Sequence, residues 1–188
     1  MMMTQILDTI RELAQEAGAT HACVIGDERL VALDYVLACC AANACGKYGA
    51  CWTCPPMLGE LDEMAARLRE YPAGVLIQNI SPLEDSWDFE GMTEASLAHN
   101  HMIRDLANLV TERFPAYALL PLGCGGCGFC ERCTCPGAPC RFPEQALASL
   151  EGYGIDVKEL VESCGLSYIN GVNTVSFVGA LLLRCPGA

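Results

Sequence analysis

Apolar residues at Ile6, Ile10, Leu13, Ala14 and Ala17 recur at the spacing of one helix face, and Gly18 stands where such a helix would stop. Met1 to Gly18 therefore reads as an acidic amphipathic helix. It lacks the basic start and apolar run of a secretion signal. His21 to Gly26 follows as a short strand. Pro55-Pro56 opens a helix running to about Tyr71, because proline is tolerated where first-turn N–H groups have no partners. Ala73 to Ile80 has the composition of a strand buried on both faces, and Ser81 to Gly91 is an acidic connection. A long helix comes next, with Met102, Leu106, Leu109 and Val110 facing inward, then a third strand over Tyr117 to Leu122. A helix is predicted from about Pro143 to Gly152. Another starts at Asp156, with Glu159 three residues on, and ends near Gly165. Val172 to Leu183 closes the chain as a strand. Strands alternating with helices predict an α/β fold: a small sheet of about four strands with flanking helices, one domain over residues 1–188. Two cysteine-rich loops, at about 39–56 and 123–143, interrupt the alternation.

Composition narrows the classes. With 52% hydrophobic and 18% charged residues the chain can build a core. Eleven Lys and Arg against 23 Asp and Glu leave a net charge of −12, opposite in sign to what phosphates attract. Nucleic acid and anionic membrane surfaces are thus poor partners. No apolar run approaches the roughly 18–20 residues that span a bilayer, and the chain reads as cytoplasmic. In a reducing compartment, fourteen cysteines point to metal or redox chemistry rather than to disulfides.

Gly123 to Phe142 holds six Cys, five Gly and two Pro and has no hydrophobic periodicity, so it cannot build an ordinary core and must be organised by something else. Its order is Cys124-x2-Cys127-x2-Cys130-x2-Cys133-x-Cys135-Pro136-x3-Cys140. Successive x2 spacings turn thiols toward one centre, and a C-x2-C-x2-C run with a later cysteine before proline is the ferredoxin manner of holding a [4Fe–4S] cluster. The spacing before the last cysteine departs from the ferredoxin one. The glycines at 123, 125, 126 and 128 leave backbone N–H groups free to approach cluster sulfurs. The alternative is structural zinc, which usually takes paired C-x2-C knuckles across a longer gap.

The other constellation is Cys39-Cys40-x4-Cys45-x5-Cys51-x2-Cys54-Pro55-Pro56. Cys51 and Cys54 precede the helix expected at Pro55, whose dipole would favour thiolate. A thioredoxin-like pair would sit in a βαβ context without further cysteines upstream. Five cysteines in sixteen residues are also too many to be mere core fillers.

The segment Cys40-Ala-Ala-Asn-Ala-Cys45-Gly-Lys-Tyr48-Gly49 leading to Cys54-Pro55-Pro56 resembles the uncharacterised bacterial and archaeal family of predicted metal-binding proteins. So does Cys127-x2-Cys130-x2-Cys133 with Pro139-Cys140-Arg141-x-Pro143 and Glu151-Gly-Tyr-Gly154-Ile155-Asp156-Val157. The resemblance implies that Cys40, Cys45 and Cys54, and Cys127, Cys130, Cys133 and Cys140, are the recurring thiols. Cys39, Cys51, Cys124 and Cys135 look like additions of this chain. Cys127, Cys130, Cys133 and Cys140 can complete one cubane. Cys40, Cys45 and Cys54 would hold a second, its last iron taking Cys51, Cys39, another residue or an outside ligand.

Three function classes follow. The first is an iron–sulfur protein with one or two [4Fe–4S] clusters, carrying electrons or serving a partner enzyme of anaerobic metabolism as a redox accessory. The second is an enzyme whose open iron at the first loop, a Lewis acid, binds a small substrate. The third is a structural zinc module. Gly123-x-Gly125-x2-Gly128 matches a dinucleotide fingerprint in form, but Phe-Cys-Glu-Arg-Cys follows it and no helix opens there. His99 and His101 diverge by about 200° on a helix and cannot share a metal. Tyr71 to Ile103 carries Glu84, Asp85, Asp88, Glu90 and Glu94 without Lys or Arg, either a solvated acidic face or a dock for a basic redox partner. Lys47 and Arg141 stand beside candidate ligands, while Cys23 and Cys164 read as core fillers and Cys185 as a tail thiol.

Overall fold

A computed structural model describes residues 2–185. Helix α1 spans Met3–Glu16 and strand β1 spans His21–Gly26, as the sequence predicts; Gly18 has φ +97° just past the helix end. Helix α2, Asp34–Ala41, lies under the start of the first cysteine constellation and was not expected, because its eight residues show little amphipathic contrast. Helix α3 spans Leu61–Arg69, not Pro55 to Tyr71. Gly59, at φ +105°, cannot sit inside a helix, so residues after Pro56 turn, and the helix is capped by Glu60, whose backbone N–H donates to the Glu63 carboxylate at 2.9 Å.

Strand β2 is Ala73–Pro82, helix α4 is Phe89–Arg113 and strand β3 is Ala118–Gly123. Asp88 caps α4 by accepting from the Gly91 N–H at 2.8 Å. The inward face of α4 is His99, Asn100, Ile103, Arg104, Leu106, Ala107 and Val110; Leu109 is 43% exposed, against expectation. The helix expected over Pro143–Gly152 is absent. In its place come a 3-10 turn at Pro143–Gln145, the two-residue strand β4 (Ala148–Ser149) and a second 3-10 turn at Glu151–Tyr153. Pairing of Leu122 and Gly123 with Ala148 and Ser149 pulls that segment into the sheet instead. Asp156 then caps α5, Val157–Ser163, by accepting from the Glu159 N–H at 2.9 Å, and β5 runs over Thr174–Arg184.

The five strands lie in the order β1-β2-β5-β3-β4, antiparallel except for the parallel pair β3–β4. Period-two alternation splits the central strands between two cores. Val75, Ile77, Leu181 and Leu183 pack with α1 and α4, while Leu76, Ala180 and Leu182 pack with α3, α5 and Tyr153. The result is a three-layer α/β/α arrangement. Residues 124–147 form the crossover from β3 to β4, so that cysteine loop leaves the carboxyl end of a parallel pair, where α/β sheets form their sites. No helix among the described residues is long and apolar enough to cross a membrane.

Candidate metal centre

Both cysteine loops meet over the ends of β3 and β4. The Trp52 indole N–H donates to the Ala138 carbonyl at 3.0 Å, and the Cys135 thiol donates to the Gly49 carbonyl at 3.7 Å, clamping one loop on the other. Two cavities lie along the seam. The larger, about 650 Å³, is lined by Cys51, Cys127, Cys130, Cys133, Cys135 and Cys140 and walled by Trp52, Leu97, Phe129 and Phe142. The smaller, about 190 Å³, is lined by Cys40, Cys45 and Cys54 together with Tyr48 and Glu151. Lys47 and Gly126 line both. The set of four and the set of three thiols that the resemblance implied line different cavities. Cys51, a thiol of the first loop, faces the larger one.

Helix α4 holds the second loop with a polar stripe at four-residue spacing, Ser96, Asn100 and Arg104. Asn100 donates to the Cys124 carbonyl and accepts from the Cys124 N–H, both at 3.0 Å. The Cys124 thiol turns into the helix toward Ser96 and Asn100, and burial pushes its pKa up to about 11. It lines neither cavity, and nor does exposed Cys39. Arg104 is 7% exposed. It donates to the Gln145 carbonyl at 2.9 Å, to the Cys127 carbonyl, and to Cys127 Sγ at 3.5 Å, with its guanidinium over the Phe129 ring. Among the described residues no carboxylate pairs with it.

The first loop shows unequal thiols. Cys51 is held low by hydrogen bonds from the Cys54 thiol, the Thr53 hydroxyl and the Cys127 backbone, and Cys54 is driven up by the same contact and by burial. Hydrogen bonding, not the helix dipole expected here, favours the thiolate, because α3 begins only at Leu61. Cys40, in the last turn of α2, sits 3.9 Å from the Glu151 carbonyl; burial and then the Glu151 charge push its thiol up. Glu151 stands two residues past the end of β4. Gly154, at φ +75°, lets the chain double back so that its carbonyl accepts from the Leu33 N–H at 2.8 Å, which seats α2 above Glu151. Burial raises the Glu151 carboxyl, and its enclosed Oε2 has no hydrogen-bond partner among the described residues.

Soft thiolates in this number suit iron–sulfur or zinc centres, and beside them stand a Glu151 oxygen without a hydrogen-bond partner and an Arg104 guanidinium without a carboxylate among the described residues. The thiols line common spaces, yet among the described residues no three His, Cys, Asp or Glu side chains converge on a point that would hold a single ion.

A family model described as predicted metal-binding protein (DUF2284) matches residues 5–183. The chain belongs to this family. No curated protein and no solved structure matches it. Metal binding is therefore the family's description, and in this member the cysteine loops are the donors that can serve it.

Sequence reasoning missed two residues beside the cysteine-lined cavities. Glu151 was visible only as the first residue of a Glu-Gly-Tyr-Gly motif, with nothing to mark a buried carboxylate. Arg104 had a usable signal, a cation on the buried face of a helix one turn beyond Asn100. Of the basic residues singled out, Lys47 lines both cavities, whereas Arg141 donates to the Arg132 carbonyl. His99 is buried against Asn79, its Nδ1 2.7 Å from Oδ1, and His101 is exposed; neither touches a cavity holding the thiols.

Proposed function

We propose that this protein is an iron–sulfur protein carrying one or two [4Fe–4S] clusters, which transfers electrons or serves a partner enzyme as its redox accessory. Arg104 carries the reading. A guanidinium buried without a carboxylate is strongly disfavoured, and this one is presented to the sulfur and carbonyl of Cys127. An anionic, thiolate-bound guest at that loop offsets the cost. Four thiolates around one zinc, each at about 2.3 Å, would stand within about 4 Å of one another. Six thiols spread round the wall of the larger cavity fit a polynuclear guest better.

On this reading Cys127, Cys130, Cys133 and Cys140 hold one cluster, and Cys40, Cys45 and Cys54 a second, with Cys51 between them. A cluster supplies a one-electron couple. The chain supplies the rest. Arg104 and the backbone N–H groups of the glycine-rich turn favour the reduced charge, and Phe129, Phe142 and Trp52 limit water. Outside, Trp87 and Phe89 are 77% and 66% exposed between Glu84, Asp85, Asp88 and Glu90, and Phe89 also lines the larger cavity. An apolar contact with an acidic rim beside the thiols suits a partner with a basic face.

The test is iron, acid-labile sulfide and zinc per chain after strictly anaerobic purification, with EPR of the reduced protein. About eight irons with matching sulfide are expected for two cubanes and about four for one. Zinc without labile sulfide refutes the redox reading.

A further inference from the structure

The smaller cavity contains a donor that the cysteine pattern lacks. The Glu151 carboxyl shares that space with Cys40, Cys45 and Cys54. Its Oε2 is enclosed and has no hydrogen-bond partner among the described residues, and Lys47, on the same wall, makes no ion pair with it. In that position a carboxyl either keeps its proton or, once ionised, needs a cation beside it. The turn bearing it is held in place. The Gly152 N–H donates to the Ser149 hydroxyl at 3.0 Å, and the Tyr153 N–H to the Leu150 carbonyl at 3.1 Å. Cys51, which a count of thiols would enlist as the fourth ligand, lines the larger cavity instead.

We propose that Glu151 is the fourth protein ligand of the metal centre held by Cys40, Cys45 and Cys54; resting on the reading above, it is the carboxylate on one iron of the second cluster. Three thiolates and one carboxylate complete four donors. The carboxyl proton leaves for solvent as the metal binds. One iron of that cluster would then have oxygen as its terminal donor while the other three have thiolate sulfur, and no position would be left for an outside ligand.

The experiment uses the full chain, grown on ⁵⁷Fe and purified anaerobically, as wild type, Glu151→Gln, Glu151→Cys and Cys45→Ala. Mössbauer spectra are recorded with iron, sulfide and zinc counts. The wild type is expected to show one oxygen-ligated iron subsite. Glu151→Cys should convert it to an all-sulfur site at unchanged iron content. Glu151→Gln should lose the first-loop share, a roughly two-fold drop in iron if two cubanes are present, as Cys45→Ala does. Identical spectra and iron content in wild type and Glu151→Gln overturn the proposal while leaving the iron–sulfur reading intact. So does a Cys45→Ala protein with undiminished metal. Should Glu151→Gln not fold, the wild-type and Glu151→Cys spectra decide alone. Zinc without labile sulfide refutes the iron–sulfur reading, and the ligand assignment is then judged on zinc: loss in Glu151→Gln supports it and retention overturns it.

Discussion

Replacing Arg104 by methionine keeps most of the apolar stem that packs on Phe129 and removes the charge beside Cys127. The guanidinium nitrogen is 3.5 Å from Cys127 Sγ. At that distance a unit charge is worth about 5 kcal/mol at an effective dielectric constant of about 20. Spread over a cluster with four thiolates, about half of this acts on the added electron, or about 100 mV for a one-electron couple. The midpoint potential of the second-loop cluster should therefore fall by about 100 mV in Arg104→Met and by less than about 30 mV in Arg104→Lys, which keeps the charge. The shift should survive added salt, since the guanidinium is buried and mobile ions cannot replace it. A spectroelectrochemical titration of the anaerobic proteins, with iron counted in each, makes the measurement. Full iron content with a potential within about 20 mV of wild type would refute the electrostatic role. Arg104 would then be only a strut that satisfies the Gln145 and Cys127 carbonyls.

Cys124→Ala should leave metal content unchanged and lower stability by about 1–2 kcal/mol, because the thiol packs against Ser96 and Asn100 and lines neither cavity. Metal analysis with denaturant unfolding checks this, and loss of metal would place Cys124 among the ligands. His99 is buried against Asn79 and Phe177, and desolvation holds its pKa at about 4 rather than 6.5. The unfolded chain takes up that proton first, so the His99 contribution is complete above about pH 7 and is lost as pH falls from about 6.5 to about 4, by up to about 3 kcal/mol. His99→Gln should flatten that slope in unfolding experiments, and an unchanged slope would assign it to other groups. Trp52→Phe removes the 3.0 Å bond to the Ala138 carbonyl that ties the loops together. It should cost about 1 kcal/mol and speed bleaching of the visible spectrum in air, whereas unchanged bleaching would mean the other loop contacts suffice.

Elements whose signal is local were legible in the sequence. The continuous apolar runs of β2 and β5, the apolar face of α1 and the Asp156 cap of α5 each state their structure within a few residues, because such signals are properties of neighbouring side chains. The cysteine spacing likewise marked two candidate loops, and the family resemblance set three recurring thiols apart from four. The Pro143–Gly152 segment failed for the converse reason. Its local preference is weak, and pairing with Leu122 and Gly123, more than twenty residues earlier, decides its conformation. The choice of cavity for Cys51, the turning of Cys124 into α4, and the meeting of Arg104 with Cys127 and of Glu151 with Cys40 all depend on crossovers that bring distant residues together. A one-dimensional spacing shows which atoms can bind a metal. Only the packed fold decides which of them share a space, which charges are removed from water there, and what a guest must therefore supply.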